Sequence, residues 1–378
     1  MVSSGHEVSV LTAMPNYPSG KIHAGYGGLY RRESLDGIGV LRTAIYPSQS
    51  ISFIPRLASY FSFVLSSAIV GTFLLKRADF LLVESPPLFL GLTGFWLSRV
   101  KRARLIFNVS DLWPESAVQL GLVRRNGLLH RISMWLESFC YRRAWLISGQ
   151  SKSIINDIQS RFPESQTYHL SNGVDVNRFT AAADSAPGHH ELPANGDCVA
   201  MYAGLHGAAQ GLSQVLDAAE VLKPEHGIKF VLIGDGPEKQ MLVQAAQGRS
   251  LQNIEFLTLR PAKEIPSLIA ASDVILVPLK SSITGAVPSK LYEAMASGKP
   301  IVLVADGEAA EIVQEHHAGL TVEPGDIHGL AMALKTLAAQ PLLRQEFGAN
   351  GRRAAQQHFN REIIVRRFRE FLEQQDGL

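Results

Sequence analysis

With 378 residues, 46% of them hydrophobic and 19% charged, the chain is long enough for more than one buried core. Its net charge of +2 hides an asymmetry, 19 Lys and Arg against 11 Asp and Glu through Arg178 but 17 against 23 beyond it, so the front half suits anionic partners such as lipid head groups or diphosphates. No basic-aromatic platform or finger motif points to nucleic acid, and Cys140 and Cys198 are too few and too far apart for a disulfide framework or a cysteine metal site.

The sequence opens on a Ser-Gly-His turn ahead of a predicted strand, EVSVLTA (7–13). A doubly wound domain ordinarily begins with a strand and a glycine-containing turn into its first helix. That opening strand is therefore expected to be missing, leaving neighbouring strands without hydrogen-bond partners; either the true start lies upstream or the copy is inactive. No basic leader with a cleavage site is seen, so a cytoplasmic location is expected.

Next, Leu57–Leu75 runs 19 residues without a charge between Arg56 and Lys76, long enough to cross hydrocarbon. Its serines, threonine and glycine, and its continuation into the strand DFLLVES (79–85), predict instead a core helix packed on a sheet, with one edge free to touch a membrane.

Further strands follow at 104–110, 144–150 and 167–173, then at 198–204, 229–235, 254–259, 273–279 and 300–305. They are continuous apolar runs, as expected of strands buried on both faces, and the helical patterns between them imply βαβ units and parallel sheets. A small, polar, turn-forming stretch separates the halves. The predicted organisation is a first domain over 1–178, a linker over 179–197, a second domain over 198–360, and an amphipathic helix over 361–378 that packs back toward the first domain.

Within the second half, GAVPSKLYEAMASGKPIV (285–302) offers a strand-to-helix loop with a helix closed by Gly298. Backbone amides around Gly285, Ala286, Val287 and Ser289, with Lys290, can hold a phosphate at the helix start, and Glu293 can accept hydrogen bonds from a pair of sugar hydroxyls. A surface turn and a solvated helix face would read the same way. In YAGLHGAAQGL (202–212), Gly204 and Gly207 permit close approach to a diphosphate, or form a tight packing turn. In IGDGPE (233–238), Asp235 reads as a helix cap. Arg260, at another strand end, can lean over a phosphate or stand on the surface. In the front half, Asp111 of NVSDLWPES sits at a strand end, where it can position a substrate hydroxyl or cap a helix, and 126–145 mixes basic and aromatic residues like a membrane-surface face, or a packed helix with solvated arginines.

Together, SSGHEVSVLTAMPNYPSG, SDLWPES, SNGVD, YAGLHGAAQGL, IGDGPEK and GAVPSKLYEAMASGKPIV resemble family-4 retaining glycosyltransferases, in particular the L-fucosamine-type transferases of bacterial surface-polysaccharide clusters such as those for O-antigen and capsule. The resemblance implies a GT-B fold, two doubly wound Rossmann-like domains facing a cleft. It implies a nucleotide sugar, such as a UDP-linked N-acetylated deoxysugar, bound by the second domain, and a polyprenyl-diphosphate-linked saccharide acceptor met by the first at the inner-membrane surface. It places Glu293 on the ribose as the second acid of a Glu-x7-Glu motif. The first acid falls on Gly285 and is absent, and the family's diphosphate-flanking Arg and Lys correspond to Leu205 and Gln210. No metal or other cofactor is expected, so Lys290, Arg260 and the helix start must meet the leaving diphosphate's charge; the leaving group itself helps take the acceptor's proton, and Asp111 positions the sugar. A sugar-nucleotide 2-epimerase and a non-catalytic nucleotide-sugar-binding remnant are the alternatives.

Overall fold

The computed structural model describes residues 1–16, 20–48, 53–119, 121, 123–185, 192, 196–281 and 283–376. The chain divides into two compact units, Met1–Leu170 together with Arg369–Leu378, and Ser171–Phe368.

In the first unit, β1 (Ser9–Ala13) is followed by β2 (Tyr30–Leu35) and β3 (Ile38–Thr43), and the three form one sheet in the order β1-β3-β2, with β1 parallel and β2 antiparallel to β3. The hairpin escaped the sequence pattern because β2, YRRESL, is polar and almost wholly exposed. A second sheet, wholly parallel, takes β4 (Phe80–Ser85), β5 (Arg104–Val109), β6 (Leu146–Gly149) and β7 (Thr167–His169) in sequence order. Strands β1 and β4 are thus both outer strands, and among the described residues no ladder joins them.

Helix α1 (Phe53–Leu74) and helix α2 (Leu90–Lys101) connect these sheets, since α1 packs on β1 and β3, α2 on β4 and β5, and the two helices on each other. A Cβ on Gly71 of α1 would lie 2.8 Å from Leu97 Cδ1 of α2 and 3.1 Å from Leu11 Cδ2 of β1. The helix expected over 57–75 does pack on a sheet with one edge free, but it is not a core helix. Only the Val64, Ser67 and Gly71 stripe is buried, and only 17% of the apolar window Leu57–Leu74 is enclosed.

The short helix α3 (Glu115–Gln119), α4 (Leu128–Arg143) and α5 (Lys152–Arg161) complete this unit. Its core gathers Val83, Leu105, Phe107, Leu136 and Ile154. A buried carboxylate, Glu137, accepts both guanidinium nitrogens of Arg161 at 2.8 Å, the geometry a buried charge requires.

The second unit begins with α6 (Val176–Ser185), a helix where the sequence suggested linker; of that stretch, 186–191 and 193–195 lie outside the described residues. Its six-stranded sheet has the order β10-β9-β8-β11-β12-β13, every pair parallel, from β8 (Cys198–Ala203), β9 (Ile228–Ile233), β10 (Ile254–Leu257), β11 (Val274–Pro278), β12 (Ile301–Val304) and β13 (Gly319–Val322). Strand order therefore reverses direction between β8 and β11, the point at which open α/β sheets hold ligands. Helices α7 (Ser213–Val221), α8 (Lys239–Gly248), α9 (Ile265–Ala271), α10 (Ser289–Ala296), α11 (Gly307–Glu315), α12 (Ile327–Ala339) and α13 (Pro341–Gln357) alternate with or follow the strands. The last helix, α14 (Arg361–Asp376), serves both units. Arg361 donates to Gly173 O in the second, while in the first Phe371 packs on Tyr168 and Glu373 meets His6 at 3.0 Å.

Two close backbone approaches hold the site-bearing elements. Gly298 has φ 68° just past α10, where its N–H donates to Met295 O, and α13 lies so close that a Cβ on Gly348 would stand 2.1 Å from Gly298 O. The expected glycine closure of α10 is therefore present. Across the sheet, the turns after β8 and β9 interlock: Gly204 N–H donates to Ile233 O, His206 N–H to Asp235 O, and Glu238 N–H to His206 O. Asp235 does not cap α8; its carboxylate accepts the N–H of Gly236, and the helix starts at Lys239.

Gly348→Ala should push α13 off the end of α10 and lower stability by about 1–3 kcal/mol, the range for overpacking, which urea denaturation would measure. The ring of His206 is fully buried, and burial first, then nearby Lys239, holds its pKa down to about 4 against opposing contributions from Asp235 and Ile233 O. Because the folded value lies below the ordinary one, the unfolded chain takes the proton first. This contribution to stability is complete above about pH 6.5 and fades as pH falls toward 4, by roughly 3 kcal/mol at about 1.4 per unit. The stability difference between wild type and His206→Phe, followed from pH 7 to 4.5, should shrink or reverse by an amount of that order; a constant difference would show that the ring does not titrate as assigned.

Candidate functional site

A cavity of about 300 Å³ opens in the second unit at the carboxyl ends of β8, β9 and β10 and the start of α10. Its floor is backbone. Gly234 approaches so closely that a Cβ there would stand 1.9 Å from Gly204 O, so no larger residue fits the junction of the two turns.

Lys290, the second residue of α10, lies across this floor, half-buried. A Cβ on Gly204 would be 2.3 Å from Lys290 Cε and 2.7 Å from Nζ, and the ammonium stands 5.5 Å from the centre of the Tyr202 ring. Burial lowers the Lys290 pKa and the Glu293 carboxylate partly restores it. Burial likewise raises the Glu293 pKa, opposed by Lys290, Arg178 and Arg361 in that order. Pro288 caps α10 without any side-chain hydrogen bond, and while the Leu291 N–H is spent on Pro288 O at 3.0 Å, those of Ser289 and Lys290 keep their donor capacity beside the ammonium. Uncapped amides, a desolvated ammonium and an acid one turn further on make a receptor for an anion bearing hydroxyl groups.

Of the residues singled out from the sequence, Gly204, Arg260, Ser289, Lys290 and Glu293 line the cavity. Gly207, Gly285, Ala286 and Val287 are not among its lining residues. Gly285 is buried with φ 77°, Ala286 N–H is spent on Ile283 O at 3.0 Å, and the Val287 side chain sits in the core beside Leu291. They shape the loop that delivers Ser289 and Lys290, and the amide cradle expected of 285–287 contracts to the helix start. Gly207 is buried in its own turn, with Gln210 N–H on its carbonyl.

Arg178 was not anticipated. It stands on α6 at the cavity wall, where its guanidinium donates to Ala262 O and lies 5.7 Å from the Phe179 ring. The sequence segment around it, SNGVDVNRF, looked like a hinge, and only α6, folded where a linker was expected, turns it toward the cavity. With Leu205 and Gln210 at positions where cations were wanted, Arg178, Arg260 and Lys290 are the cations along these walls.

Asp111 belongs to the first unit. It follows β5, half-buried, and its pKa is raised by burial first and by Glu84 second. Around it the strand ends carry a polar network in which Asn108 Nδ2 donates to Glu84 Oε2 at 2.7 Å and Ser148 Oγ to Asn108 Oδ1 at 2.6 Å. Asp111 caps no helix, since α3 starts only at Glu115.

Each half of the chain matches a known family model. The model for the Glycosyl transferase 4-like domain matches residues 1–173 and that for Glycosyl transferases group 1 matches 190–354. WcaI of Escherichia coli K12, named as a colanic acid biosynthesis glycosyl transferase, is 27% identical over 97% of this chain and 92% of its own. Among solved structures, sucrose-phosphate synthase from Thermosynechococcus elongatus superposes with a TM-score of 0.77 over 100% of this chain and 90% of that one, at 18% identity. Anabaena Alr3699/HepE in complex with UDP-glucose does so with 0.66 over 89% and 86%, at 19% identity. The fold is therefore GT-B, and the chain joins a glycosyl transferase 4-like domain to a glycosyl transferases group 1 domain.

Proposed function

We propose that the protein is a retaining glycosyltransferase of bacterial surface-polysaccharide biosynthesis. Its donor is a UDP-sugar, in the L-fucosamine class of N-acetylated deoxysugars, and its acceptor a saccharide carried on a polyprenyl diphosphate at the cytoplasmic face of the inner membrane. The similarity to WcaI, named for colanic acid, supports the pathway, and the fold shared with a structure holding UDP-glucose supports the donor class.

One observation carries the donor site: Lys290 is desolvated against Gly204 at an uncapped helix start. A diphosphate there restores to the ammonium the charge stabilisation that burial removes. Glu293 then takes the ribose hydroxyls, and Arg178 and Arg260 approach the same volume from α6 and from the end of β10. As the glycosidic bond to the diphosphate breaks, negative charge grows on the phosphate oxygens, and these fixed cations and amides are already aimed at it, without reorganisation. Charge stabilisation thus rests on the protein's own groups and needs no metal. The incoming hydroxyl attacks on the face that the diphosphate leaves, and the departing diphosphate also accepts its proton.

Isothermal titration with UDP tests this assignment. Glu293→Ala should weaken binding by about 1–3 kcal/mol, the cost of a lost charged hydrogen bond, whereas Lys290→Met should weaken UDP and lower turnover together, because its charge acts on the leaving group as well as on the bound nucleotide. Affinity for UDP unchanged in both variants would remove the nucleotide from this cavity.

A further inference from the structure

The first unit carries a face that the transfer chemistry does not use. Along α1, Phe61, Leu65, Ile69 and Phe73 recur every fourth residue and all point to solvent, Phe73 with 79% of its surface exposed. Along α2, Leu92, Trp96 and Val100 do the same, and along α4 Leu128, Ile132 and Trp135, spaced four and then three, are exposed as well. In the second unit, by contrast, large exposed apolar side chains such as Val221, Met241 and Leu342 stand singly. An isolated exposed apolar residue is ordinary; three aligned stripes are not.

These helices adjoin. Trp96 Nε1 of α2 donates to Thr72 Oγ1 of α1 at 2.9 Å, and Phe95 of α2 meets Phe139 of α4 with ring centres 5.1 Å apart. The face is also strictly basic. Neither α1 nor α2 contains an acid, and the single acid of α4, Glu137, is buried on Arg161, whereas Arg99, Arg131, Arg142 and Arg143 are exposed. Between Trp135, Ser138, Phe139, Arg142 and Arg143 runs a groove of about 430 Å³ that sets two guanidinium groups beside aromatic rings.

We infer that α1, α2 and α4 form a docking face for an anionic bilayer, lying in its interface, with Arg142 and Arg143 on lipid phosphates in the groove. A second copy of the chain fits poorly, because a two-fold contact would set arginine against arginine with no carboxylate to offset it. Spanning is ruled out by the buried side of α1: Thr93 Oγ1 donates to Val64 O at 2.9 Å, Ser66 Oγ to Ala44 O at 2.5 Å, and Lys101 Nζ to Thr72 O at 2.8 Å, bonds that insertion would break. Apolar stripes flanked by arginine and tryptophan, on helices otherwise fixed to a folded unit, suit the headgroup boundary. The inference rests on the proposed function for its purpose, bringing the protein to a lipid-linked acceptor, but not for its test.

Co-sedimentation with vesicles of phosphatidylethanolamine mixed with phosphatidylglycerol, and with phosphatidylcholine alone, measures the docking, using full-length protein without acceptor. Binding to the anionic vesicles is expected, weakening with salt. Arg142→Ala with Arg143→Ala should weaken it more than tenfold, at about 1 kcal/mol per basic side chain near an anionic surface. Ile69→Ser with Phe73→Ser should weaken it as well while leaving the melting temperature and UDP affinity unchanged, since both side chains face solvent. Absence of binding to anionic vesicles, or binding indifferent to both double variants, overturns the inference, as does a dimer in sedimentation velocity that the serine variant dissolves. UDP binding that persists while vesicle binding is absent removes this face alone; vesicle binding without UDP binding removes the proposed donor site and leaves the face standing.

Discussion

A lysine ammonium held against the α-carbon of a glycine is the contact on which the second unit turns. Lys290 reaches Gly204 because β8 and β11 are neighbours at the point where the strand order reverses, so the loop leaving β8 and the helix following β11 meet face to face. Any side chain at position 204 would occupy the space the lysine uses. An ammonium so enclosed loses hydration, and Glu293 only partly restores it because that carboxylate is itself desolvated and shared with Arg178 and Arg361. Positive charge at this spot exceeds what the acid offsets. A site in that condition favours an anionic ligand, and the first amides of α10 add the geometry that makes a phosphate group the suitable one.

The surrounding structure keeps that contact in place by leaving no slack. Val287 and Leu291, on either side of the Ser289-Lys290 pair, are anchored in the core, so the polar residues between them cannot retreat. At the far end of α10, the carbonyl of Gly298 is met by Gly348 of α13, which fixes the helix along its axis. Under the site, the turns after β8 and β9 share backbone hydrogen bonds around the His206 ring, and Lys239 Nζ ties them to β10 by donating to Gly234 O and Leu257 O at 2.6 and 2.8 Å. Preorganisation of this kind is what electrostatic stabilisation of a leaving group demands.

How much of this could be read from residues alone depended on burial. Strands such as FVLI at the end of β9 and VILVP of β11 are enclosed on both faces, so every position must be apolar and the signal is strong. β2, with Tyr30-Arg31-Arg32 exposed, obeys no such constraint and was invisible, as was four-residue β13 at a sheet edge. That Lys290 and Glu293 fall together at one strand-to-helix loop was within reach of the pattern, a Pro-Ser-Lys at a helix start with an acid one turn on, but only the structure separates a cavity wall from the solvated helix face that reads the same way. Arg178 was not, since its role depends on α6 folding through a stretch whose composition reads as linker, and composition carries no information about which way a helix turns its side chains. Ala286 failed for the opposite reason: its amide was counted as a donor without knowing that the turn to Ile283 O had already consumed it.

The first unit shows how one helix can satisfy two demands that the sequence does not separate. β1 and β4 are both outer strands, so the continuity between the three-stranded and four-stranded sheets passes through helices. That continuity is concentrated at Gly71, where α1 comes close enough for Leu97 and Leu11 to touch its backbone from two directions. Serines 66 and 67, which weaken the case for a membrane span, are used on the same side, Ser66 bonding Ala44 O and Ser67 Oγ bonding Phe63 O. Once that stripe is committed to the fold, nothing in the architecture requires the opposite stripe to be apolar, and a charged or polar surface would serve the helix equally well. Its apolar character is therefore a property that folding of this unit does not explain, whereas contact with a partner outside the unit does.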